Sequence, residues 1–167
     1  MLTINQEIPS FSLPGVKGAE VRNYTKKDLD GCWTILFFYP EDFSFICPTE
    51  VTGFNKHFEE LQTLQTKLFG ISVDPIDIHK EWIKELKINY PLLSDENGEL
   101  AKKFGVLDTT DNRAHRATFI INPDLKVEFA MINSRNIGRS VEETMRVLRA
   151  ILHGTLCPAD YDPLKEA

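Results

Sequence analysis

The chain has 167 residues, of which 42% are hydrophobic, and a formal net charge of −6 at pH 7. This length and composition predict a single globular domain over residues 1–167, and the acidic balance disfavours nucleic-acid binding. No apolar run reaches transmembrane length. The sequence also has no basic run of the kind that binds a membrane surface. The N-terminal residues lack the features of a signal peptide, so we expect a cytoplasmic protein. Three cysteines do not form a disulfide scaffold and are expected to be reactive or buried.

The apolar patterns predict secondary structure in the order β-α-β-α, then β-β-α. The continuous apolar run 33–38 is typical of a central parallel strand. Helical spacing of apolar residues follows Cys47. Further elements are predicted in this order: a strand over 68–73, a helix capped by Asp77 and running to Leu86, a short helix over 99–104 closed by Gly105, a hairpin of 118–122 and 127–132, and a helix over 141–152 capped by Ser140. This order predicts an α/β, thioredoxin-like fold with a central mixed β-sheet flanked by helices.

Cys47 stands where the predicted strand gives way to the first helix. A cysteine at such a junction lies at the positive end of the helix dipole, among N–H groups without partners. That environment favours the thiolate, which is the nucleophilic form. An isolated cysteine beside apolar residues is more often an inert buried thiol, so the local sequence alone leaves both interpretations open. A second cysteine, Cys157, lies on a predicted C-terminal tail over 153–167, and the pair suggests a two-thiol redox cycle.

Motifs along nearly the whole chain resemble those of a known family. Pro40-x-x-x-Ser44-x-x-Cys47 resembles the active-site signature of the peroxiredoxins. The surrounding FFYPEDFSFICPTE is similar to the form in typical two-cysteine peroxiredoxins, which include the bacterial alkyl hydroperoxide reductase peroxidase subunit. Further matches follow in family order: Ser72-Val73-Asp74 with His79 and Trp82, then 91–95, 116–120, 138–141 and Cys157-Pro158. Each is weak alone, but together they span residues 1 to about 160.

The resemblance implies a role for five residues around one site. Cys47 would be the peroxidatic cysteine. Arg116 would bind the peroxide and stabilise the thiolate, and Glu50 would hydrogen-bond that arginine and orient it. The hydroxyl of Ser44, where the family more often has threonine, would contact the thiolate or the peroxide. Pro40 would shield the thiolate from water.

Each of these residues also has an ordinary structural explanation. Arg116 could be a solvated arginine at a strand end, with Arg113 as the nearby competitor outside the matching segment. Ser44 could be a turn serine, and Pro40 a strand terminator. Glu50 could be an acid in the first turn of a helix, where the dipole favours it.

The second cysteine and the assembly are implied by the resemblance alone. Cys157 would be the resolving cysteine, supplied by a partner subunit of a homodimer, and such dimers assemble into ring decamers in the family. An external dithiol protein, whether thioredoxin, a flavoprotein reductase or a small disulfide reductase, would reduce the resulting disulfide. Cys32 matches no catalytic position of the family, and we interpret it as structural.

The implied activity is a thiol-dependent peroxidase that reduces hydrogen peroxide and organic hydroperoxides in antioxidant defence. The alternative is a peroxide sensor or holdase chaperone whose peroxidase activity is incidental. A thioredoxin-type disulfide exchanger needs Cys-x-x-Cys, and Glu50 occupies the second position. No flavin, nicotinamide or phosphate-loop fingerprint is present, so we expect no cofactor. We also expect no metal, because the sequence holds four dispersed histidines without ligand spacing: His57, His79, His115 and His153.

The sequence also bears on resistance to overoxidation. Sensitive family members carry a Gly-Gly-Leu-Gly insertion and a C-terminal helix ending in Tyr-Phe. Segment 84–91 contains no such insertion, and the chain ends at Ala167, soon after Cys157. We therefore expect a weakly held tail, and disulfide formation that is faster than conversion of Cys47 to sulfinic acid.

Overall fold

The computed structural model describes residues 1–165. Its strands are β1 Ser12–Lys17, β2 Glu20–Thr25, β3 Trp33–Phe38, β4 Thr66–Ser72, β5 Leu92–Ser94, β6 Leu107–Asp108, β7 Arg113–Ala114, β8 Arg116–Ile121 and β9 Val127–Asn133. Its helices are α1 Cys47–Lys56, α2 Phe58–Thr63, α3 Ile76–Leu86, α4 Glu99–Lys103 and α5 Val141–His153, with a 3-10 helix over Lys26–Leu29. In the part of the chain so described, no helix is long and apolar enough to cross a bilayer.

The centre of the molecule is a seven-stranded mixed sheet in the order β2-β1-β5-β4-β3-β8-β9. The pairs β3–β4 and β4–β5 are parallel, and the remaining pairs are antiparallel. Successive residues of β3 enter opposite cores, with Ile35 and Phe37 on one face and Leu36 and Phe38 on the other. Helices α1, α2, α3 and α5 contribute to the first core, and α4 contributes to the second. This arrangement confirms the predicted thioredoxin-like class.

Most predicted elements are present with small changes at their ends. The helical stretch after Cys47 is two helices that meet at His57. Asp77 is not a cap, because α3 begins at Ile76 after Pro75 and places Asp77 within its first turn. Gly105 does follow α4 with a φ of 74°, a conformation that glycine adopts without strain. Ser140 caps α5 as predicted, accepting a hydrogen bond from the main-chain N–H at position 143.

The N-terminal hairpin β1–β2 and the short strand β5 were not predicted. The sequence of β1 contains Pro14 and Gly15, residues that usually weaken a strand. Gly15 is required by packing, because a Cβ at this position would lie 2.5 Å from a methyl group of Leu93. The tertiary contact between β1 and β5 therefore explains a glycine that the local pattern counts against a strand.

Strand register brings distant parts of the chain to one end of β3. Phe38, the last residue of β3, pairs with Ala117 of β8. Arg116 therefore lies just beyond the end of β3, where the loop 39–46 leads into α1. Arg116 also pairs with Asn133 at the end of β9, so the segment that follows β9 passes the same place.

Candidate active site

Cys47 is the first residue of α1 and is fully buried. Pro48 follows it in the first turn, and the N-cap residue, Ile46, provides no side-chain cap. The main-chain N–H of Cys47 instead donates to the hydroxyl oxygen of Ser44, at 3.3 Å. The helix dipole therefore places partial positive charge at the sulfur, as the sequence predicted.

Arg116 contacts the sulfur directly. Its Nη1 lies 3.2 Å from Sγ of Cys47 and 2.5 Å from Oε1 of Glu50. Its Nε donates to the main-chain carbonyl of Arg135, at 2.8 Å. With a side chain only 4% exposed, Arg116 is not the solvated strand-end residue of the alternative explanation. The competitor Arg113 instead pairs with Glu41 at 2.8 Å and is 41% exposed.

A second arginine, Arg139, shares Glu50 with Arg116. Its main-chain N–H and its Nε both donate to Oε2 of Glu50, each at 2.8 Å. Its Nη1 donates to the carbonyl of Ala117 at 2.8 Å, and its Nη2 donates to the carbonyl of Phe38. Arg139 is therefore a site residue that the sequence prediction missed, although it stands within the matched segment 138–141.

Cys47, Glu50, Arg116 and Arg139 form one buried group, and its charges balance only when Cys47 is a thiolate. Two guanidinium cations and the carboxylate of Glu50 leave one uncompensated positive charge, and a buried charge without a partner is costly. Burial lowers the pKa of Arg139 below its usual value while Glu50 opposes the change, and a guanidinium stays protonated at neutral pH. The site therefore stabilises a negative sulfur through both the helix dipole and the excess cation.

Ser44 and Pro40 lie on the loop that precedes Cys47. Pro40 is buried two residues after the end of β3, and Ser44 is half-buried. Because a hydroxyl can donate while it accepts, the hydrogen of Ser44 can still be donated to a thiolate or a bound peroxide.

A buried polar network fixes the start of the same loop. Asp42 accepts from the hydroxyl of Tyr39 and lies close to Nδ1 of His79, each at 2.6 Å. The main-chain N–H of Asp42 donates to Asp74 at 2.7 Å. Burial raises the pKa of Asp42, and His79 opposes the rise.

Asp42, Asp74 and His79 are close enough to share a cation, but hydrogen bonds already engage their ligand atoms. His79 and neighbouring Trp82 are both buried.

Cys157 is exposed, and its Sγ donates to the carbonyl of Thr155 at 3.3 Å. The residues that follow Cys157 contact α5, which the sequence did not predict. Arg146 of α5 donates to the carbonyl of Tyr161 at 2.8 Å, and buried Asp162 pairs with Arg149 at 3.6 Å. The last tail residues, 166 and 167, lie outside the described residues.

Comparisons with known proteins agree on one family. The model of the AhpC/TSA family matches residues 4–130. Alkyl hydroperoxide reductase C of Mycolicibacterium smegmatis is 36% identical over 96% of this chain and 90% of that protein. Peroxiredoxin 1 of Brugia malayi is 38% identical over 92% of this chain and 72% of that protein. The crystal structure of Enterococcus faecalis AhpC matches with a TM-score of 0.89 and 39% identity, covering 95% of this chain and 100% of that one.

The thioredoxin-like fold and these relatives define a peroxidase of the oxidoreductase class that works through a thiol. The chain belongs to the AhpC/TSA family, and thus to the peroxiredoxins. Family membership implies a hydroperoxide substrate and a partner that returns the enzyme to its reduced state. The matched region ends at residue 130, so the family model includes Cys47, Glu50 and Arg116 but neither Arg139 nor Cys157.

Proposed function

We propose that Cys47 is the nucleophile that reduces hydrogen peroxide and organic hydroperoxides. The observation that carries the proposal is the 3.2 Å contact from Nη1 of Arg116 to Sγ of Cys47, at the start of α1. The thiolate attacks the terminal oxygen of the hydroperoxide, and the O–O bond breaks. The leaving oxygen takes a proton and departs as alcohol or water, while the sulfur becomes a sulfenic acid.

Arg116 acts on the peroxide as well as on the sulfur. Its planar guanidinium can donate to the oxygens of a bound peroxide, align the O–O bond with the sulfur and stabilise charge on the leaving oxygen. Glu50 fixes the orientation of this fork, and Arg139 fixes Glu50. Ser44 donates to the thiolate or the peroxide, and Pro40 limits the access of water.

Cys157 completes the cycle as the resolving cysteine of a partner subunit. Its thiol attacks the sulfenic sulfur, which releases water and forms a Cys47–Cys157 disulfide between chains. Since Cys47 is buried and Cys157 is exposed, the first turn of α1 must open for this step. An external dithiol protein then reduces the disulfide. The protein works in antioxidant defence in the cytoplasm, as a single domain over 1–167 within a homodimer that assembles into a ring decamer.

Serine variants of the three cysteines test this assignment in a peroxide-consumption assay with a dithiol reductant. Cys47→Ser should abolish turnover, because among the described residues Cys47 is the cysteine whose sulfur Arg116 contacts. Cys157→Ser should consume a stoichiometric amount of peroxide and then stall as a sulfenic acid. Cys32→Ser, the matched control, should turn over nearly normally.

Nonreducing gels of the same samples test the pairing of chains. Peroxide-treated wild type should run as a covalent dimer, and both Cys47→Ser and Cys157→Ser should remain single chains. Normal turnover by Cys47→Ser would overturn the assignment. Peroxide consumption limited to a single turnover in the wild type, with any dithiol reductant, would favour the peroxide-sensor alternative.

A further inference from the structure

A cluster of charged side chains joins the turn between β6 and β7 to the loop after β9. Arg135 contacts both carboxylate oxygens of Asp111, with Nη2 at 2.5 Å from Oδ1. Its Nη2 also lies 3.2 Å from Oδ2 of Asp108. We call Arg135, Asp108 and Asp111 the clamp. Its members lie outside the group of residues that touch Cys47.

The carboxylates of the clamp are held in place and ionised. Asp108 accepts from the main-chain N–H and the hydroxyl of Thr110, at 3.0 and 2.7 Å, and it pairs with Arg113 across the β6–β7 hairpin. The Arg135 guanidinium lowers the pKa of Asp111 to about 2. At neutral pH the hairpin therefore presents two negative charges to Arg135 from a fixed position.

The main chain of Arg135 reaches the active site. Its carbonyl accepts the 2.8 Å hydrogen bond from Nε of Arg116. On the other side of the loop, the side chain of Asn133 donates to the carbonyl of Gly138 at 3.0 Å. Because the guanidinium is a rigid plane, an acceptor at Nε and Glu50 at Nη1 together determine where Nη1 points. The position of the Arg135 carbonyl therefore affects the contact with Cys47.

We infer that the clamp is a positioning device for Arg116, in which Arg135 acts through its own carbonyl and Asp111 and Asp108 hold its side chain. The inference rests on the proposed role of Arg116 in peroxide reduction. It assigns to these three residues an effect on the rate of that step, although none of them touches the sulfur.

The size of the effect follows from two opposing magnitudes. Misplacing a catalytic group by about 1 Å can cost roughly 100-fold in rate. The side chains of the clamp are between 25% and 34% exposed, so solvent screens their attraction, and Glu50 still holds Arg116 when they are removed. We therefore expect a loss of about threefold to tenfold when the clamp is broken.

The test compares Arg135→Met, Asp111→Asn and the double variant. The measurement is the second-order rate constant for hydrogen peroxide with the reduced full-length protein. Each single change should slow the reaction, and the double variant should be no slower than Arg135→Met, since both remove the same contact. Arg135→Lys should recover part of the rate. Raising the salt from about 0.05 to about 1 M should slow the wild type more than the variants, because the Debye length shrinks to roughly 3 Å.

Three outcomes would show that the clamp does not act by positioning Arg116. If Arg135 acted through its charge alone, Arg135→Met and Asp111→Asn would change the rate in opposite directions, which would overturn the inference. A wild-type rate in Arg135→Met, or a fall in thermal stability without a fall in rate, would also overturn it. Arg22→Met is the matched control, because Arg22 forms a comparable surface pair with Asp28, at 3.0 Å, and should keep the wild-type rate.

Failure of this inference can be distinguished from failure of the proposed function. If Cys47→Ser is inactive while Arg135→Met reacts at the wild-type rate, only the inference is wrong. If Cys47→Ser turns over normally, the assignment of the site itself is wrong.

Discussion

Replacing Arg116 with lysine tests how the site accelerates peroxide reduction. Arg116 makes three contacts, to Sγ of Cys47 at 3.2 Å, to Glu50 at 2.5 Å and to the carbonyl of Arg135 at 2.8 Å. A lysine keeps the charge, but its single nitrogen lacks the planar fork that makes these contacts together. The change therefore retains much of the attraction for a thiolate and removes the alignment of the peroxide.

Ionisation of a thiol contributes little to the rate. A thiol with a pKa of about 8.5 is roughly 3% ionised at pH 7, so complete ionisation gains about thirtyfold. A thiolate of lower basicity is also a weaker nucleophile. Lowering the pKa of the thiol to about 6 reduces the reactivity of its thiolate roughly tenfold. The net benefit is a few-fold, whereas removing a donor to a developing oxyanion costs about 100-fold to 1,000-fold.

We therefore expect Arg116→Lys to lower the rate constant for hydrogen peroxide by about 100-fold or more, with a much smaller change in thiolate fraction. The assay is stopped-flow reaction of the reduced protein, alongside ultraviolet titration of the thiolate in the same variant. Arg22→Lys, which changes the exposed partner of Asp28, is the control and should react at nearly the wild-type rate. A loss of only a few-fold that follows the thiolate fraction would refute the reasoning.

Three further predictions follow from the ion pairs. Arg139→Met leaves Glu50 with one of its two buried cations, so the free energy of unfolding in urea should fall by about 3–5 kcal/mol. The rate constant for peroxide should fall as well. Unchanged stability would contradict the burial of this ion pair. Arg149→Met releases Asp162 and should speed formation of the Cys47–Cys157 disulfide. Mass spectrometry should therefore find less sulfinic acid at high peroxide than in wild type. Equal or greater build-up of sulfinic acid would show that the Arg149–Asp162 pair does not restrain the tail. The pKa of Asp111 is depressed to about 2 from a usual 3.8. Its ion pair therefore stabilises the fold fully at pH values above 3.8 and loses that effect as the pH falls through about 2. The difference in urea midpoint between wild type and Asp111→Asn should therefore be constant from neutral pH to about pH 4 and shrink below it; a difference already lost at pH 5 would contradict this.

The sequence predicted the elements whose patterns are local. The apolar run of β3 and the strand-to-helix junction at Cys47 are both visible in a few consecutive residues, and the structure contains both. Strand β1 was missed because Gly15 is explained by packing against the side chains of Leu93 and Tyr24, and Leu93 is remote in sequence. Propensity could not reveal a contact of that kind.

The same distinction holds within the site. Resemblance pointed to Arg116 and Glu50, and the fold brings both to Cys47. Arg139 lay in a matched segment but had no assigned role, because its bonds to Glu50 depend on the path of the chain between β9 and α5. The contribution of Arg135 is made by a carbonyl, which every residue has, so no residue pattern could identify it.

The most direct test of the account is to map the oxidised cysteine in Cys157→Ser. The reduced variant is treated with a stoichiometric amount of hydrogen peroxide, trapped with a reagent selective for sulfenic acid, and analysed by peptide mass spectrometry. The account predicts a single adduct at Cys47, because Arg116 contacts only that sulfur among the described residues. An adduct at Cys32 with Cys47 unmodified would contradict it.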